Sequence, residues 1–279
     1  MMQAIQAVVF LAECFALAWV GKLVYGLFHP GARVDRELTA RDNVAFAILL
    51  GGYYFGILLV VGAPLSAPSH GPFARDVVSV ALWGVLAIIL LNVASLVSRR
   101  VLFRGLDLTG EVLEHDNVAA GIVIAGSHVA NALLVLGALS DEGGLLPAAV
   151  FWVYAQVVLE AATFVFVRAM RYDVAAEVRR QNRAAALTIA GLLVAMGNVL
   201  RLSITGPFEG WGPAFAAATA YGAAGLALLF CVRWLTDWIL LPGVTIRDEV
   251  LEQKVPNVGI GFLEAVFYVG TSLLVGWSF

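Results

Sequence analysis

Charge is what this chain of 279 residues has least of. Asp, Glu, Lys and Arg make up only 13% of it, about half the share of a soluble domain. Hydrophobic residues make up 61%, and the mean hydropathy is +0.89. No polar coat can be built from that composition, which excludes soluble globular, disordered and nucleic-acid-binding classes. The net charge of −3 is too small to imply a charged partner. Cysteine is almost missing as well. Cys14 and Cys231 sit in apolar segments far apart, so neither a CxxC motif nor a disulfide framework exists, and both are expected to be packing residues.

Motifs of known chemistry are also absent: there is no HExxH, no P-loop, no GxSxG, and no GxGxxG in a strand context. Of four histidines, His29, His70 and His115 fall in loops or at interfaces. Only His128 lies within an apolar run, so paired axial imidazoles for a haem are not available. A carboxylate and histidine cluster could hold a metal, but it would depend on packing that the sequence does not determine. No catalytic residue, cofactor or metal is therefore assigned, and the chain is expected not to be an enzyme. The opening MMQAIQAVVFLAECF lacks the positive start and small-residue cleavage pattern of a signal peptide, which predicts a retained first helix.

What is present is apolar length. Crossing about 30 Å of hydrocarbon takes ~20 apolar residues of helix. Eight stretches qualify: Ile5–Phe28, Val44–Leu65, Val77–Val97, Val118–Leu139, Leu146–Val167, Ala184–Ser203, Ala214–Leu235 and Val258–Trp277. None alternates as barrel strands do, so each must satisfy its backbone internally as a helix. The expected fold class is an all-α polytopic membrane protein with eight transmembrane helices.

Lys and Arg mark the cytoplasmic loops of such proteins. Here the loops after spans one, three, five and seven hold nearly all of them, including Arg33, Arg36, Arg99, Arg100, Arg104, Arg171, Arg179, Arg180, Arg183, Arg247 and Lys254. The opposite loops hold Arg75. Both termini are thus expected outside. Trp83, Trp152, Trp211 and Trp277 near one boundary, and Trp234 and Trp238 near the other, agree as interfacial anchors. Trp19 lies deeper and is expected to pack.

The chain repeats itself. RVLFRGLDLTGEVLE (Arg100–Glu114) aligns without a gap to WILLPGVTIRDEVLE (Trp238–Glu252), and ECFALAWVGKLVY (Glu13–Tyr25) matches EAATFVFVRAMRY (Glu160–Tyr172). A finer period relates ELTARDNVAFAI, from Glu37, to EVLEHDNVAAGI, from Glu111, with weaker echoes at Glu177 with Asn182 and at Asn257. Four helical hairpins in two pseudo-symmetric halves, residues 1–140 and 141–279, are the expected organisation. A two-span unit enters and leaves by one face, so the copies have parallel topology, with pseudo-symmetry along the membrane normal. A ring of four units would enclose a pore and a solid bundle would not; the pattern leaves both open.

Small residues at Gly51, Gly52, Gly56, Gly191 and Ala195 predict close helix contact. Asn43 and Asn117 are placed to cap spans two and four, and Arg233 and Asp237, four apart, are spaced to pair. The EVLE segments are read as short amphipathic helices on the inner surface.

The DNVAFAILLGG and DNVAAGIVIAG segments, each a charged loop followed by Asn-x-Ala and a glycine-rich span, resemble the YjfL-like family, domain of unknown function 350. The likeness covers nearly the whole chain and implies two four-span copies fused. It weakens at Asn182-Arg183 and at Lys254-Val255-Pro256. The resemblance implies a multi-pass bacterial inner-membrane protein and little chemistry.

An ionisable group at mid-membrane costs at least ~2.5–3.5 kcal/mol, so each invites a functional reading. Counted at ~1.5 Å per residue, Glu13, His128 and Glu160 come out near mid-membrane, and Glu264 about 10 Å in from the inner boundary. Odd-numbered spans present Glu13, Asn92, Glu160 and Phe230 at corresponding positions. The functional reading is an ion- or proton-binding site of Glu13, Glu160, His128, Asn92 and Asn131, with Glu264 as a further candidate. The structural reading is neutral, hydrogen-bonded glue between helices. Two functions follow: movement of a small cation or proton, or a non-transporting membrane-integrity scaffold that binds lipids or partner proteins through its Arg-rich loops. Membrane lipids are the expected partners; a homo-oligomer and further protein partners stay open.

Overall fold

The computed structural model describes residues 2–66, 72–103, 105–140, 144–171, 173–241 and 243–278. Expectations resting on His70, Arg104, the 141–143 loop or Tyr172 lie outside the described residues. Within them every regular element is helical, and eight helices are long and apolar enough to cross a membrane. These are α1 (Met2–Phe28), α3 (Val44–Ser66), α4 (Phe73–Val101), α6 (Val118–Leu139), α7 (Leu145–Ala169), α9 (Arg183–Ile204), α10 (Trp211–Leu240) and α11 (Val258–Ser278). Short helices α2 (Val34–Thr39), α5 (Leu108–Leu113) and α8 (Val174–Arg179), with a π-helical turn at Asp248–Glu252, join the spans of each hairpin. The expected span centres hold, but α4 and α10 run further. At 30 residues, α10 is about 45 Å long, more than the hydrocarbon needs, so its Arg233-to-Leu240 end reaches the interface.

Two layers result. Helices α3, α6, α9 and α11 pack side by side in that order, and α1, α4, α7 and α10 lie across one face of them. Each of α4, α7 and α10 seats between two helices of the row: α4 on α3 and α6, α7 on α6 and α9, α10 on α9 and α11. The even-numbered spans therefore form a row with α3 and α11 at its ends, not a closed ring. An open apolar groove of about 600 Å³ runs over the row's other face, lined by Ile48, Ile122, Val129, Val194, Phe262 and Val269 among others.

Small residues set the spacing of the row. A Cβ added at Gly126 would stand 2.6 Å from the Ala190 Cα, one at Gly52 2.5 Å from the Ala125 Cα, and one at Gly191 2.5 Å from the Ala265 Cα. Backbones this close gain dispersion contacts along their length, the chief attraction between helices in lipid. Gly51, expected to share this packing, has nothing within 4 Å of an added Cβ. Other apolar residues turn outward: Trp19 is 62% exposed and Cys231 is also exposed, so neither packs within the chain as expected.

The loops explain how each row helix begins. Asn43, Asn117, Asn182 and Asn257 all cap, with the Oδ1 of each accepting from the backbone N–H three residues on. Just before them, Asp42, Asp116 and Gln181 adopt φ of 49°, 48° and 57°, the left-handed region that Asp tolerates better than most residues. Pro256 occupies that place in the fourth loop, and its ring holds φ near −65°. The left-handed turn of the other three loops is not available there, and the segment ahead of it, Asp248–Glu252, is a π-helical turn. The DEVLE segment is accordingly this turn, while the first EVLE segment is part of α5 as expected.

Candidate functional site

Helix periodicity brings polar groups of α4, α6 and α7 together. Glu160 and Gln156 lie one turn apart on α7, as do Asn131 and Ser127 on α6. Ser98, near the end of α4, donates to Glu160 Oε1 at 2.7 Å. Asn131 Nδ2 donates to Ser98 Oγ at 3.2 Å and to Ser127 Oγ at 3.3 Å. Gln156 Nε2 donates to Asn131 Oδ1 at 2.8 Å. All five side chains are buried. Glu160 Oε2 and Gln156 Oε1 are buried without a hydrogen-bond partner among the described residues. The cluster offers carboxylate, amide and hydroxyl oxygens, the ligand types hard cations take, and Glu160 can equally accept or release a proton. Among the described residues no group of three or more His, Cys, Asp or Glu side chains could hold a metal.

The residues grouped from the sequence are therefore divided. Glu160 and Asn131 meet. Asn92 donates instead to the Tyr53 hydroxyl, at 2.8 Å, and to the Ile88 carbonyl, while Tyr53 donates to the Gly21 carbonyl at 3.0 Å. His128 joins this second group through its ring, 5.4 Å from that of Tyr53, with Nδ1 unpartnered among the described residues. Glu13 stands apart on α1, with α4 between it and α7, and both its carboxyl oxygens are buried without a hydrogen-bond partner among the described residues.

Glu264 differs in kind. Arg233 on α10 approaches its Oε1 at 2.6 Å, Thr188 on α9 donates to its Oε2 at 2.8 Å, and Tyr268 reaches the same carboxyl. Arg233, expected to pair with Asp237, is thus held by Glu264, and Asp237 Oδ1 accepts from the Ile246 N–H. Four residues along one helix can pair, but a buried carboxylate on the neighbouring helix offers Arg233 a drier and stronger contact. Glu264 is thereby committed to an ion pair.

Gln156, Ser98 and Ser127 were not singled out from the sequence. The one-turn spacings Gln156–Glu160 and Ser127–Asn131 were the available signal, masked because Ser and Gln are common on ordinary spans. His29, just beyond the first span, is buried, stacked 4.1 Å from Tyr25. Burial pushes its imidazole down to about 4, and nearby Arg99 adds to the effect.

The four connecting segments adjoin on one face. Asn43 Nδ2 donates to the Val112 carbonyl at 2.8 Å, Asn117 to Val178 at 2.7 Å, and Asn182 to Val250 at 2.8 Å. Each amide also bonds an acid of its own loop, Glu37, Glu111 or Glu177. Every loop but the last is thus tied to the next. Exposed Arg36, Arg100, Arg171, Arg180 and Arg183 decorate the same face.

Comparison with known proteins agrees with this architecture. A curated UPF0719 transmembrane protein of Aquifex aeolicus (strain VF5) is 23% identical over 247 residues, covering 86% of this chain and 89% of that one. No solved structure matches the chain. The model of the Domain of Unknown Function (DUF350) family matches residues 1–139 and again residues 141–279, and the chain belongs to that family as two copies joined in tandem.

Proposed function

We propose that this protein moves protons or a small monovalent cation across a bacterial inner membrane, with Glu160 as the binding or relay group. The observation that carries the reading is the Glu160 carboxyl itself, buried on a span, one oxygen held by Ser98 and the other without a partner among the described residues, in a hydrogen-bonded cluster that runs from Ser98 to Asn131 and Gln156. A carboxyl kept in that state within a membrane is a functional-site candidate by default. The Tyr53–Asn92–His128 group is a separate polar lining, and Glu264, held by Arg233, is structural. By the positive-inside rule the arginine-bearing loops face the cytoplasm and both termini the periplasm. On this reading the chain catalyses no reaction.

The test is flux in proteoliposomes under a set membrane potential, comparing wild type with Glu160→Gln. Loss of proton or cation flux in a variant that stays folded supports the reading. Equal flux in both, or none in wild type across H⁺, Na⁺ and K⁺, overturns it. A second reading then takes over, a scaffold that recruits anionic lipid or a partner protein. It is favoured by the exposed arginines on a loop layer stiffened by the asparagine ties, and it expects Arg171→Gln with Arg180→Gln to weaken binding to anionic vesicles.

A further inference from the structure

The seams of the helix row share a register, which appears when residues are counted from each capping asparagine. At position nine stand Gly52, Gly126, Gly191 and, on α11, Val266; at position eight stand Gly51, Ala125, Ala190 and Ala265. In all three seams the position-nine glycine of one helix receives the position-eight alanine of the next. Positions thirteen and fifteen pair as well, Gly56 with Ala132 and Ala130 with Gly197. At the ends of the row the same positions are unfilled. On α3, an added Cβ at Gly51 meets nothing and Leu58 is 52% exposed; on α11, an added Cβ at Gly270 meets nothing and Val266 is 47% exposed.

These two free edges complement each other in the register of the internal seams. Position nine of α11 against position eight of α3 would set Val266 over Gly51, and position thirteen against fifteen would set Gly270 under Leu58. Bulk meets gap twice, with the gap on opposite partners. The loops repeat the pattern. Asn257 is exposed and bonds its own Glu249 at 2.9 Å, whereas the other three asparagines also reach the carbonyl that follows the next loop's glutamate. In the first loop that residue is Leu38, which follows Glu37 and is 37% exposed.

Glu13 supplies an independent observation. Its counterpart Glu160 is served by Ser98 of the preceding hairpin, but among the described residues no hairpin precedes α1 and both Glu13 oxygens lack a hydrogen-bond partner. In the α11 counterpart of Asn131, counted from the capping asparagine, stands Thr271.

We propose that a second copy of this chain docks head to tail, its α3 edge on the α11 edge of the first, so that the row continues across molecules. Asn257 then donates to Leu38 of the second copy, and α1 of that copy seats beside α11 and gains a preceding hairpin for Glu13. The contact is heterologous, so copies add until a ring closes or an open row forms. This docking is independent of whether the chain conducts.

The test has two arms. In a Cys14→Ala, Cys231→Ala background, Leu58→Cys with Gly270→Cys is oxidised in native membranes. A ladder of multiples of 29.7 kDa is expected, because α3 and α11 stand at opposite ends of the row within one chain. A cross-linked dimer that Leu58→Cys alone also gives, the mark of a symmetric contact, or no cross-linked product from the pair, overturns the proposal. In the second arm, native mass spectrometry compares wild type with Gly51→Leu, Gly270→Leu. Both substitutions project into open space within the chain, so the fold stays intact while both gaps are filled. Multimers for wild type and monomer for the variant are expected. A monomeric wild type, its edges covered by lipid alone, or an unchanged variant multimer refutes head-to-tail docking.

Discussion

The middle of the molecule and its α11 end solve the same problem with different chemistry. Around α4, α6 and α7 the buried polar groups are neutral partners of one carboxyl, and the loop above is tied to its neighbour through Asn117. At α11 the turn preceding the helix is altered by Pro256 and its asparagine makes no onward tie, but Glu264 is locked to Arg233 and Thr188. A helix at the end of a row has one neighbour fewer, and here a charged contact pins it where backbone packing is one-sided. The lesson is that a buried carboxyl has no meaning by itself. Glu160 and Glu264 are both acids on apolar spans, and only the group opposite each separates a candidate site from an anchor.

Breaking the α11 anchor gives the largest effect. Arg233→Leu leaves Glu264 without its counter-charge and should cost about 3–5 kcal/mol, as removing one member of a buried ion pair does. Thermal unfolding in detergent checks this. The double variant Arg233→Leu, Glu264→Leu should recover most of the loss, and a double variant as unstable as the single one would show that the pair is not the anchor.

The loop ties come next. Asn117→Ala removes a cap, the bond to Val178 and the bond to Glu111 together, for about 2 kcal/mol, the upper end for a cap. Asn257→Ala, in the monomeric Gly51→Leu, Gly270→Leu background, removes a cap and a bond to an exposed acid, for about 0.5 kcal/mol. Equal losses at the two sites would erase the distinction between middle and end.

At Glu160 stability should scarcely change. In Glu160→Gln the side-chain carbonyl can still accept from Ser98, so stability should stay within about 0.6 kcal/mol of wild type, the average for one hydrogen bond between membrane helices. Circular dichroism melts against wild type measure it. A loss as large as that of Arg233→Leu would mean that Glu160 is an anchor too.

Much of the fold was legible along the chain. Span positions followed from apolar length, and the capping role of Asn43 and Asn117 from an asparagine opening each span. The fourth loop's departure was visible at Pro256, which resists the left-handed turn the other loops use. Less of the site was legible. Five polar residues looked like one cluster because depth can be counted along a helix, but rotation about the helix axis and choice of neighbour cannot. That is why Asn92 belongs with Tyr53 rather than Glu160, why Arg233 takes Glu264 rather than Asp237, and why Trp19 and Cys231 turn outward.

The sequence by itself determined that this is an eight-span membrane protein of two tandem copies, because hydrocarbon thickness sets span length and repeated residues declare the duplication. Tertiary structure alone decided that the even-numbered spans form a row with two free edges, and that one carboxyl is paired while another is half unpartnered. Those outcomes depend on which helix faces meet, and in lipid, where most side chains on a span are apolar enough to face outward, close backbone packing and hydrogen-bond geometry make that choice.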